Sequence, residues 1–265
     1  MNNIRKYIHL WDAQCPYEIP ALTGGILQYA RDERVDGVHF GGDNLDLEGL
    51  QDWENKKPGN NDWNEVWSEI FRFRKILDIW QKALPWVKDW RWHDGNHELR
   101  LKYFLEKFGP SSRYQKGTEW YVDNRKLIPD LHGELMLKQR GFKIFAQKQL
   151  THFGRLSAFH GDDFGANAER NNANLYGRSV IFGHIHRPGR FTKISPVDFD
   201  PISAWSEPCL CNRNPRWKRG SANSWSTGFS MTFVREGGFF NHYPVDIVRG
   251  QFVGLNGKLY GTFEG

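Results

Sequence analysis

Cysteine and methionine are scarce in this chain, with three of each among 265 residues. Cys15, Cys209 and Cys211 are too few, and odd in number, for a disulfide framework; such usage fits a reducing compartment, and the cytoplasm is the expected location. Cys209-x-Cys211 has no second Cys pair with which to complete a zinc site, so all three read as ordinary thiols. No apolar run approaches the length that crosses a bilayer, so no membrane association is expected. The start of the chain, Met1-Asn2-Asn3-Ile4-Arg5, lacks the apolar core of a signal peptide. Internal repeats, low-complexity tracts and an evident linker are missing as well, so one domain over residues 1–265 is expected. A large charge imbalance is also absent: Lys and Arg outnumber Asp and Glu by 36 to 31, a net charge of +5. Several carboxylates are candidate metal ligands, so the remaining surface is more basic than +5 suggests, a mild preference for polyanions.

What is abundant is apolar and aromatic. Hydrophobic residues make up 39% and aromatics 15%, with 12 Trp, which is the composition of a globular protein with a sizeable core. Tyr7 to Trp11 reads as a strand ending at Asp12, residues from Ile19 to Ala30 follow at helical spacing, and Gly37 to Phe40 reads as the next strand. This βαβ opening implies parallel strands. Residues 52–62 read as a polar loop, and Asp62 with Glu65 as a capping box for a long helix that ends near Pro85. Its Val66, Trp67, Ile70, Leu77, Trp80 and Leu84 keep the helical period, so its tryptophans are expected in the core. Lys88 to His93 reads as a strand, followed by a helix that ends at Gly109-Pro110. Residues 111–134 carry no clear signal. Strand signals recur at Phe142–Gln147, Leu156–Phe159, Ser179–Phe182, Ser230–Val234 and Phe239–Val245, with a helix at Ala166–Tyr176 closed by Gly177. Two packed sheets with flanking helices fit this order.

Five short motifs stand on this framework: Asp12-Ala-Gln14, Gly42-Asp43-Asn44, Gly95-Asn96-His97-Glu98, His160-Gly161-Asp162 and Gly183-His184-Ile185-His186. All are built from metal-ligand residue types, and four directly follow a strand-like run. Residues so far apart in sequence meet only if a sheet delivers them to one edge, beyond the carboxyl ends of its strands. Singly, each motif could be a turn; their ordered joint occurrence is the signal.

The set closely resembles the calcineurin-like metallophosphoesterase superfamily, whose pattern is Asp-x-His, Gly-Asp, Gly-Asn-His-Asp/Glu, a later His, and Gly-His-x-His. The resemblance covers the chain from about Asp12 to His186 and points to a phage-type or bacterial member. It implies an α/β (mixed α+β) fold, a four-layer α/β/β/α sandwich of two packed mixed sheets with flanking helices. It also implies that Asp43 bridges two divalent ions, that Asp12, Gln14 and His186 complete one site, and that Asn96, His160 and His184 complete the other. His97 would stand beside the substrate and stabilise or protonate the leaving oxygen, with Asp46 orienting it. A carboxylate bridge holds two cations about 4 Å apart, gives a bridging hydroxide near neutral pH and clamps the phosphate oxygens. Mixed His, Asp and amide ligands suit Mn2+ first, then Fe, Zn, Co or Mg, rather than Ca2+.

Two departures bear on chemistry. Gln14 stands where the family has His; a neutral, harder amide oxygen should weaken that site and bias it towards Mn2+ or Mg2+. The arginines that protein phosphatases carry near these motifs are missing, which leans towards diesters over dianionic monoesters. Late in the chain Arg187, Arg190, Lys193, Arg213, Arg216, Lys218 and Arg219 interleave with Trp205, Trp217 and Trp225. They read either as a solvated face with core tryptophans, or as a platform in which Arg213, Arg216, Trp217, Lys218 and Arg219 bind substrate. His9, His39, His93, His132, His152 and His242 match no ligand of the family and read as surface or satisfied structural histidines. The expected function is hydrolysis of phosphodiesters, of single-stranded nucleic acid or nucleotides, with no obligate protein partner. A small-molecule phosphomonoesterase and a catalytically weak metal-binding scaffold are the alternatives.

Overall fold

A computed structural model of the chain describes residues 4–50, 63–108, 130–163, 165–194, 196, 200–218 and 223–264. The polar loop 52–62, with Asp62 of the capping pair, and most of segment 111–134 lie outside the described residues. In chain order the elements are β1 (Arg5–Leu10), α1 (Gly25–Asp32), β2 (Gly37–Phe40), α2 (Trp63–Ala83), β3 (Asp89–His93), α3 (Glu98–Phe108), α4 (Leu131–Glu134) and β4 (Phe142–Phe145). There follow β5 (Thr151–Phe153), β6 (Leu156–Phe159), α5 (Ala168–Tyr176), β7 (Val180–Phe182), β8 (Gly189–Ile194) and β9 (Pro201–Ser206). The chain ends with β10 (Gly228–Val234), β11 (Phe240–Asp246), β12 (Gln251–Val253) and β13 (Leu259–Gly261).

One large sheet has the order β11-β10-β1-β2-β3-β4 and a second β5-β6-β7-β9-β8, while β12 and β13 form a small two-stranded sheet. In the first, β1 to β4 run parallel, β10 is antiparallel to β1, and β11 is antiparallel to β10. In the second, β6, β7 and β9 are parallel and both edge strands antiparallel. Apolar patterning stacks them. Val66, Ile70, Phe73, Leu77 and Trp80 of α2 and Ile26 of α1 pack on Ile8, Val38 and Phe40 at the outer face of the first sheet. Tyr7, Trp11 and Val234 meet Phe153, Ala158, Ile181 and Trp205 between the sheets. Ala168 and Ala173 of α5 cover Phe159, Val180 and Phe182 on the far side. The result is a four-layer α/β/β/α sandwich of two mixed sheets. As the periodicity predicts, Trp80 is fully buried, while Trp67 is only partly so.

The periodicity did not reveal β12 and β13, nor β5, β8 and β9. The last opens on Pro201, a strand breaker tolerated at a first strand position, and β8 is an edge whose Arg190 and Lys193 read as part of a basic cluster. Between the layers lies a polar chain. His93 Nε2 contacts the Gln149 carbonyl (2.8 Å), His93 Nδ1 meets His39 Nε2 (2.7 Å), and His39 Nδ1 meets His9 Nδ1 (3.1 Å). His9 Nε2 meets Thr232 Oγ1 (2.8 Å), which meets His242 Nδ1 (2.9 Å), and His242 Nε2 meets Glu207 Oε1 (2.8 Å). All these side chains are buried. Burial pushes the imidazolium forms of His9 and His39 well down and that of His93 to about 4. With these three rings neutral and His93 Nε2 donating to the Gln149 carbonyl, His39 donates to His93, His9 to His39, and Thr232 to His9.

Candidate metal centre

Every motif follows the carboxyl end of a parallel strand: Asp12 after β1, Asp43 after β2, Asn96 after β3, His160 after β6 and His184 after β7. The turns there are tight and left-handed. Asp12, Gln14, Asp43, His184 and His186 all have φ between 44° and 70°, a costly conformation outside glycine. In Gly183-His184-Ile185-His186 both histidines themselves take the left-handed conformation. The motif glycines serve close approach. A Cβ on Gly95 would lie 2.0 Å from Asp43 Oδ1, and one on Gly183 would lie 2.6 Å from Asp12 Oδ2.

Two donor sets converge, Asp12/Asp43/His186 and Asp43/His160/His184, and each could hold a metal ion. Asp43 is common to both. His186 Nε2 lies 3.1 Å from Asp12 Oδ1, and His160 Nε2 lies 3.3 Å from Asp43 Oδ2. His160 Nδ1 is held at 3.0 Å by the Gly41 carbonyl, which turns Nε2 into the site. The residues present fit divalent ions. Gln14 Oε1, Asn96 Oδ1 and His160 Nε2 are buried without a hydrogen-bond partner, and these are the ligand atoms the resemblance assigns. His160 is close to Asp43 but lacks hydrogen-bond geometry there. The local field favours cations. Burial lowers His160, yet Asp43 lifts it to about 9; burial lowers His186, yet Asp12 and Cys209 lift it to about 10. Burial would raise Asp43, but His160 and His97 hold it well below the usual carboxylate range. Burial and His160 keep His184 low, hence neutral.

His97 stands at the rim of the pair, with Nε2 3.7 Å from Asp43 Oδ2 and its backbone N–H donating to Asp43 Oδ1 (2.8 Å). Its Nδ1 lies 3.1 Å from the Asp46 carbonyl and 2.9 Å from Asp46 Oδ1. The carbonyl takes the hydrogen bond, and the carboxylate contact is electrostatic, since Asp46 Oδ1 has no formal partner. Two residues have roles here that the sequence did not assign: Arg100 carried no signal, and Glu98 closed its motif without a stated role. Arg100, one turn along α3, places Nη2 3.0 Å from His97 Nε2. Glu98 accepts from the backbone N–H groups of Asp43 (2.9 Å), Asn44 (2.7 Å), Leu45 (3.2 Å) and Gly95 (2.7 Å), latching two motif turns together.

The basic cluster divides. Arg216 is held by Glu48 at 3.2 Å and by Glu65 at 3.5 Å, so its charge is already partnered. Lys218 Nζ lies 4.1 Å above the Trp225 ring, whose centroid is 4.1 Å from that of His186. Arg213, Tyr17 and Trp225 line a groove of about 800 Å³. The Trp217 side chain and Arg219 lie outside the described residues. Elsewhere in the chain, Arg190 covers Trp205 and Lys193 bonds Asn174, both on the far sheet. Cys209 and Cys211 are buried beside His186; burial pushes the Cys209 thiol up, but Cys211 and His186 draw it down to about 6. Among the described residues no helix is long and apolar enough to cross a membrane.

No protein-family model matches the chain. Its sequence is similar to the Gene 54 protein of Mycobacterium phage D29, 23% identical over 261 residues that span 94% of this chain and 96% of that protein. It is also similar to the Gene 54 protein of Mycobacterium phage L5, 22% identical over 274 residues, spanning 97% and 98%. Among solved structures it is similar to vacuolar protein sorting 29 from Cryptosporidium parvum, with a TM-score of 0.42, 9% identity, and 92% of this chain and 98% of that one covered. Chaetomium thermophilum Vps29 gives a TM-score of 0.40 and 8% identity over 92% and 98%.

Proposed function

We propose that this chain is a calcineurin-like metallophosphoesterase of phage type, acting in the cytoplasm on phosphodiesters of nucleic acid or nucleotides. One observation carries the reading: two donor sets, buried except for the half-buried His184, share Asp43, with His97 poised at their rim. Asp12, Gln14, Asp43 and His186 would hold one ion, and Asp43, Asn96, His160 and His184 the other. Two divalent ions there, Mn2+ first, would neutralise phosphoryl charge and lower the pKa of water to near neutrality. His97, steadied on Nδ1 by Asp46, presents Nε2 to the leaving oxygen, where it would hold or hand over a proton. Lys218 and Trp225 would receive the phosphate and base beyond the scissile bond. The free, buried thiols agree with a reducing location.

A second reading, a phosphomonoesterase, has one observation in its favour. Arg100 brings a guanidinium to His97, where it would meet an extra phosphate oxygen. Turnover of purified protein with Mn2+ on an aryl monoester, an aryl diester, a cyclic nucleotide and single-stranded DNA tests both. Diester and DNA cleavage is expected. Monoester turnover alone would move the second reading forward, and no turnover with both ions bound would leave the metal-binding scaffold.

A further inference from the structure

Cys209 and Cys211 flank Leu210 at a bend between two isolated β-bridges, Cys209 to Thr227 and Cys211 to Glu18, and Leu210 packs into the main core. The segment is pinned on both flanks. Cys209 N–H donates to the Ser226 carbonyl (2.9 Å), Leu210 N–H to the Trp11 carbonyl (2.9 Å), and Asn212 N–H to the Tyr17 carbonyl (2.7 Å). Ser226 N–H in turn donates to the His186 carbonyl (2.8 Å), tying the histidine to the same frame. As a result Cys209 Sγ, Cys211 Sγ and a ring nitrogen of His186 lie within 4.8 Å of one another, all on buried residues. The nitrogen is Nδ1, 3.9 Å from Cys211 Sγ. Nε2 of the same ring faces Asp12.

We propose that Cys209, Cys211 and His186 Nδ1 form a separate thiophilic metal site, for a soft ion such as Zn2+. Two thiolates and an imidazole select soft or borderline ions, whereas the oxygen-rich donors beside them suit Mn2+ or Mg2+. With Zn–S near 2.3 Å and Zn–N near 2.0 Å, tetrahedral donors stand roughly 3.5–3.8 Å apart. The observed Cys211–His186 separation of 3.9 Å therefore needs only a small side-chain adjustment. Binding forms two metal–sulfur bonds and one metal–nitrogen bond and releases to solvent whatever protons the two sulfurs and Nδ1 carry. A neutral imidazole has one lone pair, so a neutral His186 serves either this site or the neighbouring one. The two sites compete for it.

The test is a Co2+ titration of the metal-stripped, reduced full chain, read by near-ultraviolet absorption. Thiolate ligation gives a sulfur-to-cobalt charge-transfer band; oxygen and nitrogen ligands give none. The expected result is a band that saturates, persists in Asp43→Ala, and disappears in Cys209→Ser and in Cys211→Ser. Persistence in Asp43→Ala separates this site from the phosphoesterase centre, so either proposal can fail alone. Absence of the band in the wild-type chain at saturating Co2+ overturns the proposal without recourse to any variant, and so does a band that survives both serine substitutions.

Discussion

Asp43 carries more of the proposed chemistry than any other residue, because both donor sets include it. Asp43→Ala should cost both ions, and Gln14→Ala mainly one, since Gln14 serves a single set. Elemental analysis that finds two ions retained in Asp43→Ala would remove the bridging assignment. His97 makes the opposite prediction. It contacts Asp43 from outside the donor sets, so His97→Ala should keep its metal while turnover falls by roughly two to four orders of magnitude. Loss of metal from that variant would make His97 a ligand instead.

At the level of elements, strand ends and turns set the site, and the strands behind them share the histidine chain. His9 pairs with His39 across β1 and β2, His93 of β3 reaches His39 from two residues past its register partner Arg91, and all three stay neutral in the folded protein. In the unfolded chain they bind protons near pH 6.5. The unfolded state then holds more protons below that pH, so stability is complete above about 6.5 and is lost as pH falls towards about 4. Urea midpoints should drop over that range. His39→Gln should lose about 1–3 kcal/mol at neutral pH, because His9 and His93 lose a partner, yet show a shallower acid slope. An unchanged slope in His39→Gln would mean that other groups govern the acid limb.

On the scale of the whole molecule, the proposed substrate path runs from the strand ends out over Trp225 to Lys218. Replacing Lys218 with Ala should weaken oligonucleotide cleavage and lower its log–log salt slope by about 0.7, one phosphate contact on a single strand. An aryl diester, too small to reach Lys218, should change little. Equal loss on both substrates would place Lys218 at the metal centre rather than along the strand. Arg216→Ala serves as the contrast: Glu48 and Glu65 already hold that guanidinium, so it should leave the slope unaltered.

The sequence by itself determined the order of the motifs and of the strands that carry them, and the convergence of Asp12, Asp43, His160, His184 and His186. A period-2 or period-3.6 apolar pattern specifies where each strand ends, and parallel strands bring the turns at their carboxyl ends to one sheet edge. Helix α5 was legible for the same local reason, down to its left-handed Gly177 cap. Tertiary structure alone decided what depends on partners distant in the chain. Arg190 and Lys193 looked like free charge but form an edge strand, and Arg216 is neutralised by carboxylates 151 and 168 residues away. His9, His39, His93 and His242 become a buried hydrogen-bonded chain only when five strands align them. Glu98 becomes a latch only because Asp43 and Gly95 turn their N–H groups towards it. Cys209 and Cys211 acquire a third donor only when the turn bearing His186 lies against them. In each case the missing information was a contact, and one chain's local pattern does not encode which far residue will supply it.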